Sequence, residues 1–243
     1  MRMLSFAKRC AKEILRDPIN LSFGLGFPLV LLVLLSAMQA NIPVSLFEID
    51  RLTPGITVFG LSFMTLFSAT LIAKDRETAL LQRLYTSPLT GLDFILGYML
   101  PLLPIALGQT IICYLFAVPL GLNVNINIVY AIMGIIPMAL FNVALGLMCG
   151  SLLGVKQVGG ICGALLTNLS AWLSGVWFDL ELVGGFFEKL AYALPFVHAV
   201  EMEKALVLGD FSLAVSHVLP VILYTGLAIA FAVLSFLRQM KKQ

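Results

Sequence analysis

The side chains best suited to acid–base or metal chemistry are His198, Glu201 and Glu203, which fall within two turns of a prospective helix. His198 and Glu201 share a face at i and i+3, yet no third ligand lies near them in the sequence, and a zinc site needs three or four. As the nucleus of a membrane enzyme they would work as general acid and base at one bilayer face. The four cysteines, Cys10, Cys113, Cys149 and Cys162, have neither metal nor disulfide spacing and read as small apolar packing residues. No Gly-x-Ser-x-Gly, His-Glu-x-x-His or Walker A sequence occurs. The chain is therefore not expected to hydrolyse ATP by itself, nor to hold a metal or cofactor of its own.

These residues must be positioned by elements that live in lipid. Of the 243 residues, 60% are apolar and 12% charged, with a mean hydropathy of +1.02. A soluble domain carries about twice that charge. The net charge of +2 offers no field for a nucleic-acid partner. The fold class is all-α integral membrane, because a spanning segment must satisfy its own backbone over ~20 apolar residues. Six stretches qualify: about 19–40, 54–73, 94–120, 126–154, 158–178 and 215–237. The third and fourth are long enough to tilt or to kink at Pro101, Pro104 or Pro137. Residues 1–18 form a separate unit and 19–243 a single transmembrane domain.

Twelve of the fifteen basic residues fall on one side of this topology, which places both termini in the cytoplasm of a multi-pass protein. The connection from 179 to about 214 carries six acids and two bases and faces outward. The first apolar run is too long for a signal-peptide core, and 37–40 is a poor cleavage site. Before that run, Met3, Phe6, Ala7, Cys10, Ala11, Ile14 and Leu15 recur opposite Arg2, Lys8, Arg9, Lys12 and Arg16. That pattern predicts an amphipathic helix in the membrane interface, ended by Asp17-Pro18.

None of the six spans holds an ionisable residue near its centre, so ion-coupled transport has no evident coupling group. Ser62, Thr65, Gln109, Asn142 and Asn168 either hydrogen-bond between helices or line a substrate path. Gly146, Gly150 and Gly154, with Gly159 and Gly163, repeat a small-xxx-small spacing that favours close helix packing.

Residues 74–93 are too charged to span. Leu80, Leu81, Leu84 and Tyr85 share one helical face, Thr78, Gln82 and Arg83 the other, and Ser87-Pro88 ends the helix. Thr90 and Asp93 have capping-box spacing at the start of the third span. Such a stripe on a short cytoplasmic loop suits docking into a partner's groove. Farther on, 183–208 reads as two outer helices bent at Pro195, re-entrant or interface-lying.

The sequence resembles the ABC-2 type permeases, the membrane subunits of bacterial ABC exporters, over essentially its whole length. The resemblance is carried by Lys74-Asp75-Arg76-Glu77-Thr78, Leu84-Tyr85-Thr86-Ser87-Pro88-Leu89 and Ile95-Leu96-Gly97. Leu173-Ser174-Gly175-Val176-Trp177-Phe178, Leu190-Ala191-Tyr192-Ala193-Leu194-Pro195 and His198-Ala199-Val200-Glu201 add to it. It implies six spans, an N-terminal interfacial helix, a coupling helix and outer re-entrant helices. It further implies a separate cytoplasmic ABC ATPase carrying ATP and Mg, a second permease subunit (a copy or a relative), and export of an amphipathic drug, peptide antibiotic, lipid or glycolipid. Asp75, Arg76, Glu77, Leu80, Leu81, Arg83, Leu84 and Tyr85 would contact the ATPase. Ala79 and Gln82 stand where many members carry a glycine and a second acid. The reading from another class is a membrane enzyme, or a sensor or immunity protein that binds a lipid or antimicrobial peptide without moving it.

Overall fold

The computed structural model describes residues 2–43, 47–78 and 90–240, which are helical with short turns and contain no strand. In chain order come α1 (Arg2–Leu15), α2 (Pro18–Gln39), α3 (Ile49–Gly60), α4 (Ser62–Glu77), α5 (Gly91–Met99) and α6 (Leu102–Ala117) with a 3-10 turn at Val118–Leu120. Next are α7 (Asn127–Gly134), α8 (Ile136–Leu152), α9 (Val155–Val158), a π-helical stretch Gly159–Leu166 and α10 (Thr167–Leu173). The short α11 (Leu180–Val183), α12 (Gly185–Tyr192), α13 (Pro195–Leu208) and the long α14 (Phe211–Met240) complete the described chain.

Among the described residues five helical stretches are long and apolar enough to cross a membrane: Pro18–Gln39, Ile49–Glu77, Leu92–Leu120, Asn127–Leu152 and Phe211–Gln239. The second is central, with 89% of its apolar window buried against 22% for the first and last. It is not straight. The Leu61 N–H is shared between Thr57 O at 3.3 Å and Val58 O at 3.1 Å, a tightened turn that divides α3 from α4. Proline, which lacks the donor a helix interior needs, accompanies two further breaks, at Leu100-Pro101 and at Ile135, just ahead of Pro137. Pro104 falls in the first turn of α6, where no donor is missed.

Residues 158–178, expected as one span, are not a single regular helix. α9, the π stretch and α10 follow one another from Val155 to Leu173, and Thr167 Oγ1 donates to Cys162 O at 3.0 Å, five residues back. This composite nevertheless joins the two ends of the bundle. Val155 meets Glu77 at one end, Gly163 lies beside Leu66, and Val176 packs on Gly55 toward the other.

The apolar stripe of α1 is also used differently from the expectation of a face laid in lipid. Phe6, Cys10 and Ile14 are buried against protein, and the Phe6 ring meets Phe94 and Tyr98 edge-on at 5.5 and 4.9 Å. Gly97 permits that approach, since a Cβ there would collide with the Phe6 ring. Phe94 also packs on Phe236, so α1, the start of α5 and the last turns of α14 share one end. At the other end Leu194 is extended, Pro195 opens α13, and Gly209 closes it at φ 80°, which an L side chain rarely adopts.

Candidate functional site

Four consecutive charged residues close α4, and successive residues on a helix point about 100° apart, so the four side chains fan out to different elements. Lys74 Nζ lies 3.4 Å from Asp17 Oδ2 at the elbow between α1 and α2. Asp75 receives both terminal nitrogens of Arg9 from α1 and the Tyr98 hydroxyl from α5, the latter at 2.8 Å. Arg76 donates to Ser151 O and, at 2.7 Å, to Leu153 O, occupying carbonyls that the end of α8 leaves without donors. Glu77 Oε1 accepts the Val155 N–H at 3.0 Å. The end of α4 is thus tied to α1, α5, α8 and α9 immediately before the segment 79–89.

Asp75 is 1% exposed, and a buried carboxylate is tolerated only when paired and hydrogen-bonded. Arg9 supplies the charge and Tyr98 a further donor. Burial acts against the Arg9 charge, but the hydrogen bond and charge of Asp75, aided by Glu13, outweigh it and hold the guanidinium above its usual range. Burial likewise raises the Glu13 carboxyl, with Arg9 opposing. Burial pushes the Cys10 thiol up to about 12, which suits packing rather than nucleophilic chemistry. At Asp17 the upward effect of burial is overcome by hydrogen bonds from Asn20 and by Lys74, so that carboxyl sits below its ordinary value.

Of the residues singled out in the sequence, Asp75, Arg76 and Glu77 therefore meet partners within this chain. Leu80, Leu81, Arg83, Leu84 and Tyr85 lie outside the described residues. Arg9 and Tyr98 were not singled out as site residues. Their signals are an arginine bordering the buried Phe6–Cys10 stripe and a phenol inside an apolar run, whose hydroxyl needs a partner when buried.

Thr65 Oγ1 donates to Asn142 O and Oδ1, both at 3.0 Å, and Asn142 Nδ2 donates back to Met138 O, which joins α4 to α8. Gln109 packs against Gly60 and Cys113. Ser62 Oγ and Gln109 Oε1 are buried without a hydrogen-bond partner among the described residues. Asn168 is exposed on α10 and donates to Ala164 O at 2.8 Å.

At the opposite end the prospective acid–base nucleus separates. Glu203 turns inward, 0% exposed, and accepts the Tyr114 hydroxyl at 3.1 Å. Glu201 pairs with Lys204, and His198 Nδ1 faces His217 Nδ1 at 2.9 Å. Among the described residues no group of three or more His, Cys, Asp or Glu is placed to hold a metal ion.

A family model described as ABC-2 type transporter matches residues 2–206. The chain belongs to this family. It is 26% identical over 185 residues to the "Probable multidrug ABC transporter permease YbhR" of Escherichia coli K12 and, with the same figures, of Escherichia coli O157:H7. The match covers 75% of this chain and 49% of each relative, so the chain spans about half the length of the curated relatives it matches. An ABC-2 type chain is a transmembrane subunit and not itself the ATPase.

Within this ABC-2 chain the glycines divide. A Cβ on Gly146 would run into Thr65 O and Ser68 Oγ, and one on Gly150 into Ala69 O, so α8 lies directly on the backbone of α4. Gly163 makes ordinary contact with Leu66. Gly154 sits at the start of α9, where a Cβ would come no closer than 3.5 Å to Glu77, and Gly159 has open space around it.

Proposed function

We propose that this chain is the permease half of an ATP-driven exporter that moves an amphipathic compound out across the cytoplasmic membrane. The observation that carries the reading is the root of the segment 79–89. Its preceding residues, Lys74 to Glu77, connect it to four other elements through charged side chains. A load applied to that segment would reach α1 and α5 through Asp75, α8 through Arg76 and α9 through Glu77. Asp75 then acts as a positioning residue for the docking stripe, with Leu80, Leu81, Arg83, Leu84 and Tyr85 meeting the ATPase. ATP and Mg would reside on that separate subunit.

The composite from Val155 to Leu173 would be the sixth crossing, which returns both termini to the cytoplasmic side, as the basic-residue count favours. α12 and α13 would form the outer, re-entrant pair. Gly160, Ala164, Asn168 and Trp172 are exposed at four-residue spacing along the composite. Small residues at that spacing let another helix approach closely, which favours a second permease subunit on this face. The amphipathic cargo rests on the name of the E. coli relatives and on the uncharged span interiors.

Co-expression of the full chain with a candidate ABC ATPase tests the reading. The ATPase should co-purify, and Leu81→Asp should leave insertion intact while separating ATP hydrolysis from export. An intact chain that never retains an ATPase, or export that persists without ATP, would overturn it.

A further inference from the structure

The two long faces of α1 differ in how far their charges are used. On the protein side Arg9 is held by Asp75 and Glu13, and Phe6, Cys10 and Ile14 are buried. On the other side Lys8, Lys12 and Arg16 follow one another at four-residue spacing, all exposed, and form no ion pair among the described residues. They line a groove of about 500 Å³ together with Ser5, Arg9 and Glu13. Three unneutralised cations thus stand along one helix edge within about 12 Å, at 1.5 Å per residue.

Apolar side chains flank this row. Leu4 and Leu15 on α1 are 57% and 63% exposed, and Ile19 at the start of α2 is 69% exposed. A surface for a free inorganic anion would have no use for such neighbours. A surface meeting both the headgroup and the upper acyl chain of a lipid would use both kinds of residue.

We propose that the Lys8, Lys12 and Arg16 edge of α1 binds the phosphate groups of acidic glycerophospholipids, with Leu4, Leu15 and Ile19 against their acyl chains. Because Arg9 on the same helix holds Asp75, lipid bound here would also steady the root of the segment 79–89. The binding itself requires only that α1 lie along a membrane surface. It does not depend on the transport reading, and failure to find an ATPase partner would leave it untouched.

The test is lipid retention by the purified full chain, offered phosphatidylglycerol and phosphatidylcholine in equal amounts. The wild type should prefer phosphatidylglycerol, and the preference should fall as salt is raised. The triple variant K8Q/K12Q/R16Q should lose affinity for it by about fivefold per charge removed. K8R/K12R/R16K should retain the preference. Inorganic phosphate at the same concentration as the lipid should not displace it. Equal retention of the two lipids, an unchanged preference in the triple Gln variant, or displacement by phosphate would each overturn the proposal. Should the triple variant fail to fold, the salt titration of the wild type decides, and a salt-insensitive preference would overturn it.

Discussion

Tyr98 places its hydroxyl 2.8 Å from Asp75 Oδ2, on the carboxylate that Arg9 already grips through both terminal nitrogens. One buried acid thus joins α1, α4 and α5. Removing a partner from a fully buried ion pair costs roughly 3–5 kcal/mol, whereas losing one neutral donor costs about 1 kcal/mol. Arg9 keeps partial access to water, so Asp75→Ala should destabilise the chain by about 2 kcal/mol, below the fully buried figure. Tyr98→Phe should cost about 1 kcal/mol. Thermal unfolding of the purified chain in detergent checks the order. If Tyr98→Phe proved as damaging as Asp75→Ala, the hydroxyl would be holding something other than this carboxylate.

The glycines of α8 and of the π-helical stretch should not behave alike. Gly150→Val would drive a branched side chain into the Ala69 carbonyl and Ile72, and overpacking of this kind costs about 1–3 kcal/mol even where side chains can yield. Gly146→Val should be at least as harmful, because it meets the Thr65 backbone. Gly159→Ala has nothing within 4 Å and should be neutral, or stabilising by up to about 1 kcal/mol. Comparing the yield of folded, monodisperse protein for the three variants measures the difference.

What could be read from the sequence was what local chemistry determines. The Thr90–Asp93 capping box is formed in both directions, Asp17-Pro18 separates α1 from α2, and Pro195 opens α13. Each of these needs only residues three or four apart. The Leu61 turn and the π stretch did not show in hydropathy, because both leave the apolar pattern intact while changing backbone register. Long-range pairing was the least legible. Arg9 and Asp75 are 66 residues apart, Tyr114 and Glu203 are 89 apart, and their meeting depends on how each helix is rotated in the bundle. The carboxylate of Asp75 could be assigned to the coupling region by resemblance, but nothing in its neighbours revealed that it points inward.

His198 and His217 tie α13 to α14, and the carbonyl at one end of their chain of contacts determines which ring nitrogen of His198 donates to it. Tyr192 O can only accept, so the His198 Nε2 facing it at 3.0 Å must carry the hydrogen. The other ring nitrogen, Nδ1, lies 2.9 Å from His217 Nδ1, close enough for one of the two to donate to the other. His217→Leu removes one hydrogen bond and should cost about 1 kcal/mol, and His198→Leu removes two and should cost about twice that. Thermal midpoints measured side by side test the ranking. The reverse order would mean that the His198–Tyr192 contact does not form.

Glu203 makes stability depend on pH in a direction opposite to that of a paired surface acid. It lies on α13, outside the five apolar spans, and burial holds its carboxyl well above the ordinary 4.5, with the Tyr114 hydroxyl only partly opposing. The Tyr114 hydroxyl and the Gly134 turn of α7 face the carboxyl, the neighbouring Lys204 pairs with Glu201 instead, and among the described residues no salt bridge reaches Glu203. The folded state therefore keeps a proton that the unfolded state gives up. Its contribution to stability is complete below the unfolded value of 4.5 and is lost as pH rises toward the folded value, by at most about 1.4 kcal/mol per pH unit. Glu203→Gln mimics the protonated acid, keeps an acceptor for Tyr114, and should abolish that slope while matching the wild type near pH 4.5. Glu203→Lys should fail to fold, since it would bury a cation with no partner. Unfolding curves recorded across pH for the wild type and Glu203→Gln decide the matter, and parallel slopes would mean that Glu203 is hydrated and ionised in the folded protein.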